Sequence, residues 1–164
     1  MTAVSSLQSK RPIWQTILML TLGLWLGGSL LLDWVVMPSL YVSGMMTQAG
    51  FTTAGYVIFW NFNRLELVAA AIVLTSVLTL NQTAFVTNNW RRGAVILSSL
   101  LLAVALVNTY LLTPQMCAIG AQLNLFESVR EIPTTMNQLH VAYWFMEAFK
   151  LVVGSTLLGW SYKQ

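Results

Sequence analysis

Four long apolar stretches, separated by shorter and more polar ones, set the organisation of the chain: residues 13–37, 56–80, 93–112 and 139–160. About 20 helical residues at a rise of 1.5 Å each cross the roughly 30 Å hydrocarbon layer of a bilayer. Each stretch therefore predicts a transmembrane helix. The expected fold is all-α: one integral membrane domain over 1–164, a four-helix transmembrane bundle with short amphipathic surface segments after the first and third spans.

The first span follows Lys10 and Arg11, behind the short polar stretch Met1 to Gln8. Its apolar run is too long for a signal-peptide core, lacks a small-residue cleavage site and is followed by further spans. Gly23 and Gly27 stand in GxxxG spacing, with Gly28 beside them, so another helix can approach closely there; packing within the bundle is expected ahead of a dimer. Pro38 is expected to kink or end this helix. The connection up to Gly50 has no charge and carries Leu40, Tyr41, Met45 and Met46, as a segment lying on the membrane surface would. Beyond the third span, Thr113-Pro114 reads as an N-cap with proline at the first helical position. Met116, Ile119, Leu123 and Phe126 then recur at helical spacing, which predicts a short surface helix with Glu127, Arg130 and Glu131 at its polar end, stopped by Pro133.

Polar residues inside the apolar stretches carry whatever chemistry the chain has. In the fourth span His140, Tyr143 and Glu147 fall on one face with Lys150 at its edge, a candidate cofactor-binding set. A bare charge at mid-membrane costs at least a few kcal/mol. Glu147 and Lys150, three apart, can relieve that cost as an ion pair. The second span packs Asn61, Asn63, Arg64 and Glu66 into six positions. Asn63 and Glu66 share a face, whereas Arg64 points elsewhere and takes Asp33, near the end of the first span, as its expected partner. Asn108 is the strongly polar member of the third span. An intramembrane polar cluster of Asp33, Asn63, Arg64, Glu66 and Asn108 is expected beside the fourth-span residues.

Composition narrows the classes. The chain is 57% hydrophobic and 8% charged, against about 25% charged in soluble domains. No sizeable soluble domain remains once the spans are removed. The net charge of +3 is scattered beside apolar segments, which excludes nucleic acid as a partner. Lys10, Arg11, Arg91, Arg92 and Lys163 all fall on one side of a four-span chain, so the positive-inside rule expects both termini in the cytoplasm. Asn81-Gln82-Thr83 then also lies inside and is discounted as a glycosylation site. Seven Trp and five Tyr suit interfacial belts. Cys117 stands alone, so no internal disulfide forms. With one histidine, bis-histidine haem ligation within one chain is impossible, and a haem needs a methionine or a second subunit as its other ligand. Copper would rely on Met45, Met46, Met116 and Met136, residues that in apolar helices usually pack. No phosphate loop, dinucleotide fingerprint, zinc-hydrolase, serine-hydrolase or paired-cysteine motif occurs.

WLGG in the first span (Trp25 to Gly28), FNRLELVAA in the second, YLLTP closing the third (Tyr110 to Pro114) and Leu139-His140 opening the fourth follow one another in order. In this the chain resembles an uncharacterised bacterial four-helix membrane family related to human transmembrane protein 205. Its layout is similar to that of the copper-resistance protein CopD and the haem-pathway protein HemJ. The last likeness implies tetrapyrrole chemistry and a haem-associated histidine, for which His140 is the sole candidate.

Two functions of different class follow. One is an accessory or assembly subunit of a larger membrane complex, with membrane lipids and other membrane-protein subunits as partners and a mainly structural polar cluster. The other is a tetrapyrrole- or haem-handling redox enzyme, with His140 as ligand and Glu147 and Lys150 as proton carriers. Metal or solute transport ranks behind both, because matched repeats and broken helices are missing. The expected location is a bacterial inner or thylakoid-type membrane.

Overall fold

A computed structural model describes residues 12–45, 50–82, 87–125 and 134–163, and every element within them is helical. The helices are α1 (Ile13–Ser29), α2 (Met37–Val42), α3 (Phe51–Asn81), α4 (Asn88–Val107), α5 (Thr113–Leu125) and α6 (Thr134–Tyr162). Two π-helical segments join them into longer rods: Leu30–Val36 links α1 to α2, and Asn108–Leu112 links α4 to α5. Four stretches are long and apolar enough to cross a membrane, namely Ile13–Val42, Thr53–Asn81, Asn89–Gly120 and Thr134–Tyr162. The protein is an integral membrane protein built as an all-α four-helix bundle.

Each span packs on its sequence neighbours, and the first also packs on the fourth, so the bundle closes as a ring. Gln15, at the start of the first rod, donates from Nε2 to the Ser161 carbonyl at the end of the last, 2.7 Å away. The half of the bundle nearest this contact is apolar. Leu18, Leu22, Val73, Val77, Leu101, Val153 and Leu157 fill it, with Trp90 at its end. The other half holds the buried charged residues, while Gln15, Ser76, Ser98 and Ser161 are the buried polar residues of the apolar half.

Proline behaves differently from the sequence expectation. Pro38 and Pro114 each stand at the second residue of an α-helix, α2 and α5, but neither ends its rod, which enters the α-helix from a π-helical segment. A helical proline offers no N–H and crowds the carbonyl four residues back. Here a π-helical turn precedes each one and changes the bonding register to five residues. The Met37 N–H reaches Leu32 O, and the Thr113 N–H reaches Asn108 O. The wider turn takes up the misfit, and the helix continues through the proline. Thr113 itself has helical dihedrals and no N-cap role. Phe126, Glu127, Arg130, Glu131 and Pro133, expected in a surface helix and its stop, lie outside the described residues, as do Met46, Lys10 and Arg11.

The glycine motif is a second correction. Gly23 and Gly27 face outward, and a Cβ built on either meets nothing within 4 Å. Close approach occurs elsewhere: a Cβ on Gly154 would stand 2.7 Å from the Leu26 side chain, and one on Gly93 would stand 2.6 Å from the Trp160 ring. The reason is phase. Leu22, Trp25, Leu26 and Ser29 form the buried stripe of α1, which leaves positions 23 and 27 on the far side.

Candidate functional site

Lys150 is the hub of the polar half. Its side chain is fully buried, and its ammonium contacts Glu66 Oε1 on α3 and, at 2.5 Å, Glu147 Oε2 one turn away on α6. The expected Glu147–Lys150 pair thus exists, but it is half of a three-residue bridge between the second and fourth spans. Each carboxylate is held further. Trp25 Nε1 and Ser29 Oγ on α1 both donate to Glu66 Oε1, at 2.9 and 3.1 Å. Asn108 Nδ2 donates to Glu147 Oε1 at 3.0 Å. All four spans therefore meet at one charged centre.

A third carboxylate lies close by. Asp33, 2% exposed, accepts a 2.9 Å hydrogen bond from the Tyr143 hydroxyl. Tyr143 is braced in turn by an edge-on contact with Phe59, ring centroids 5.8 Å apart. Asp33 and Asn108 share an unusual origin, because each sits in one of the two π-helical segments. A π turn rotates the following residues away from the regular helical phase, and such turns recur at functional sites. Asn63 is also buried, but it serves a separate contact, donating to Thr113 Oγ1 at 2.7 Å.

Arg64 does not pair with Asp33. Once Asn63 and Glu66 point inward, the residue between them must point out. Arg64 is accordingly exposed, and its guanidinium lies over the Trp60 ring, 4.0 Å from the centroid. Asn61 is exposed too, its side chain returned to the Val57 carbonyl. The polar cluster therefore contains Asp33, Glu66 and Asn108, with Asn63 beside it and Arg64 outside.

The fourth-span set also divides. Tyr143, Glu147 and Lys150 are buried in the bundle, whereas His140 is exposed. The inward seam of α6 runs through Tyr143, Glu147, Lys150, Gly154, Leu157 and Ser161. His140 stands one turn before it, where no residue of the helix is buried, and its Nδ1 lies 2.9 Å from the Met136 carbonyl. The four residues expected to share one cofactor do not form one site. Among the described residues no group of three or more His, Cys, Asp or Glu side chains is placed to hold a metal ion.

Trp25 and Ser29 were not among the sequence candidates. The signal was present: Trp25, Ser29 and Asp33 recur every four residues, one inward stripe that becomes more polar along its length. The free donors of Trp and Ser at that spacing suit carboxylates on the facing helix. No family model, curated protein or solved structure matches the chain.

Proposed function

We propose that the protein is an accessory or assembly subunit of a larger membrane complex, with its charged centre serving to fix the register of its four helices. One observation carries this reading: Arg64 is exposed on the outer surface of the second span. An arginine at the centre of a lipid-facing helix costs about 2.5–3.5 kcal/mol on insertion scales. The Trp60 contact returns about 0.5–2 kcal/mol. A neighbouring subunit that supplies an acceptor would remove the remainder. Gly23 and Gly27, bare on the outside of the first span, add a second face on which a foreign helix can lie close. Kinship with the four-helix family related to transmembrane protein 205 belongs to the same proposal, supported by the ordered motifs alone.

A photo-crosslinking amino acid at Asn61, in native membranes, tests the reading. A discrete protein adduct is expected, and Arg64→Glu should reduce it at least tenfold while the amount of protein stays the same. Adducts to lipid only would overturn it. The same protein purified in mild detergent should be colourless, and a Soret band lost in His140→Gln would establish the tetrapyrrole reading instead.

The orientation is part of the proposal. With Arg91, Arg92 and Lys163 on the same side, both termini lie in the cytoplasm of a bacterial inner or thylakoid-type membrane. Reporter fusions at positions 10, 86 and 163 should all report the cytoplasm. A signal from the opposite compartment at any of them reverses the assignment.

A further inference from the structure

A groove of about 430 Å³ runs between α1 and α3 on the outside of the bundle. Its rim is formed by Leu24 and Leu65, both largely exposed, so in the membrane it opens sideways to the acyl chains. Trp25 and Phe62 supply aromatic walls, and Ala69 leaves room at one side. Glu66, a buried carboxylate of the charged centre, also lines it. Among the described residues every hydrogen bond to Glu66 falls on Oε1: those of Trp25, Ser29 and Lys150. Oε2 receives none, although the residue is only 2% exposed. A carboxylate that lines an apolar groove and has one oxygen without a donor can take a donor that arrives from the lipid.

We infer that this groove binds a lipid-soluble phenol-type molecule, its ring against Trp25 and Phe62 and its hydroxyl donating to Glu66 Oε2. The chemistry selects among amphiphiles. An anionic head is repelled by the carboxylate. An ammonium head would have to shed its hydration in the hydrocarbon and then share Glu66 with the like charge of Lys150. A neutral hydroxyl partitions freely, and its bond to an ionised acceptor belongs to the stronger class. Aromatic walls favour a ring over a bare chain. The groove does not involve Arg64, so this inference stands apart from the docking of a partner subunit.

The test uses the full-length chain in phosphatidylcholine nanodiscs, titrated calorimetrically with para-octylphenol and with its methyl ether, para-octylanisole, and corrected with empty discs. The ether keeps the shape and lacks the donor. Saturable phenol binding is expected, at least tenfold tighter than binding of the ether. Ala69→Phe, which fills the groove while leaving Glu66 and its donors Trp25, Ser29 and Lys150 in the chain, should weaken phenol binding tenfold or more with the melting temperature preserved. Leu65→Trp, which narrows the mouth from its exposed rim, should do the same and decides the matter if Ala69→Phe does not fold. Equal affinity for phenol and ether, no saturable phenol binding, or unchanged binding in the folded groove variants would each overturn the inference.

Discussion

Lys150 shows how a single side chain can hold four spans together. It is fully buried, contacts two carboxylates, and those carboxylates accept from Trp25, Ser29 and Asn108. Removing one partner of a buried ion pair is far costlier than replacing the whole set by apolar groups of similar volume. Lys150→Met, which strands two buried carboxylates, should therefore destabilise the protein by about 3–5 kcal/mol. The triple change Glu66→Gln, Glu147→Gln, Lys150→Met should recover most of that loss. Thermal melts in one detergent read both, and a triple variant no more stable than the single one would show that Lys150 stabilises by packing. At this scale the sequence was legible where helical phase alone decides. It put His140, Tyr143 and Glu147 on one face of the fourth span with Lys150 at its edge, of which all but His140 are buried, and Asn63 with Glu66 on one side of the second. Partner choice was not legible. Arg64 and Asp33 suit each other in charge, but the phase that buries Glu66 turns Arg64 outward, and Tyr143 takes Asp33 instead.

Among elements, the spans were evident from apolar length, whereas their ends were not. Pro38 read as a kink or an end because a helix interior does not tolerate proline, and Pro114 read as a helix start because the first turn does. The π-helical turns before them leave no mark in hydropathy. They are visible only through their effect, the placing of Asp33 and Asn108 toward the charged centre. Glycine taught the opposite lesson, since the GxxxG spacing was plain but its direction was wrong. Where the helices do press together, a larger side chain must push a neighbour aside, and overpacking costs about 1–3 kcal/mol. Gly154→Val should lower stability by that amount, because its Cβ meets Leu26 at 2.7 Å. Gly27→Val, with nothing within 4 Å, should leave the stability of the isolated chain unchanged. Chemical denaturation of the two variants side by side checks the contrast, and equal losses would refute this assignment of faces.

The molecule as a whole is divided along its length, with an apolar half at the end where Gln15 meets Ser161 and a polar half beyond Glu66 and Lys150. Its helices are also longer than the membrane requires. The 31 residues of α3 extend about 46 Å at 1.5 Å each, against a hydrocarbon layer of roughly 30 Å. Both ends of α3 should then stand in the headgroup region or in water. In a Cys117→Ser background, cysteines at the exposed positions Ala54 and Gln82 should react with a hydrophilic maleimide added to opened membranes. Cysteines at Val68 and Ile72, also exposed on the bundle but in the hydrocarbon, should not. Labelling at all four would place α3 outside the bilayer.

The bridge from Lys150 to Glu66 spans 84 residues of sequence. During synthesis at about 5–20 residues per second, that separation is a delay of roughly 4–17 s. For that interval the second span sits in the membrane with its carboxylate already inserted and its counter-charge not yet made. Trp25 and Ser29 belong to the span made just before it, and both donate to the same oxygen that Lys150 later contacts. The first two helices can thus leave the translocation machinery as a pair with their acid already solvated by protein, and the last helix completes the bundle by delivering the cation.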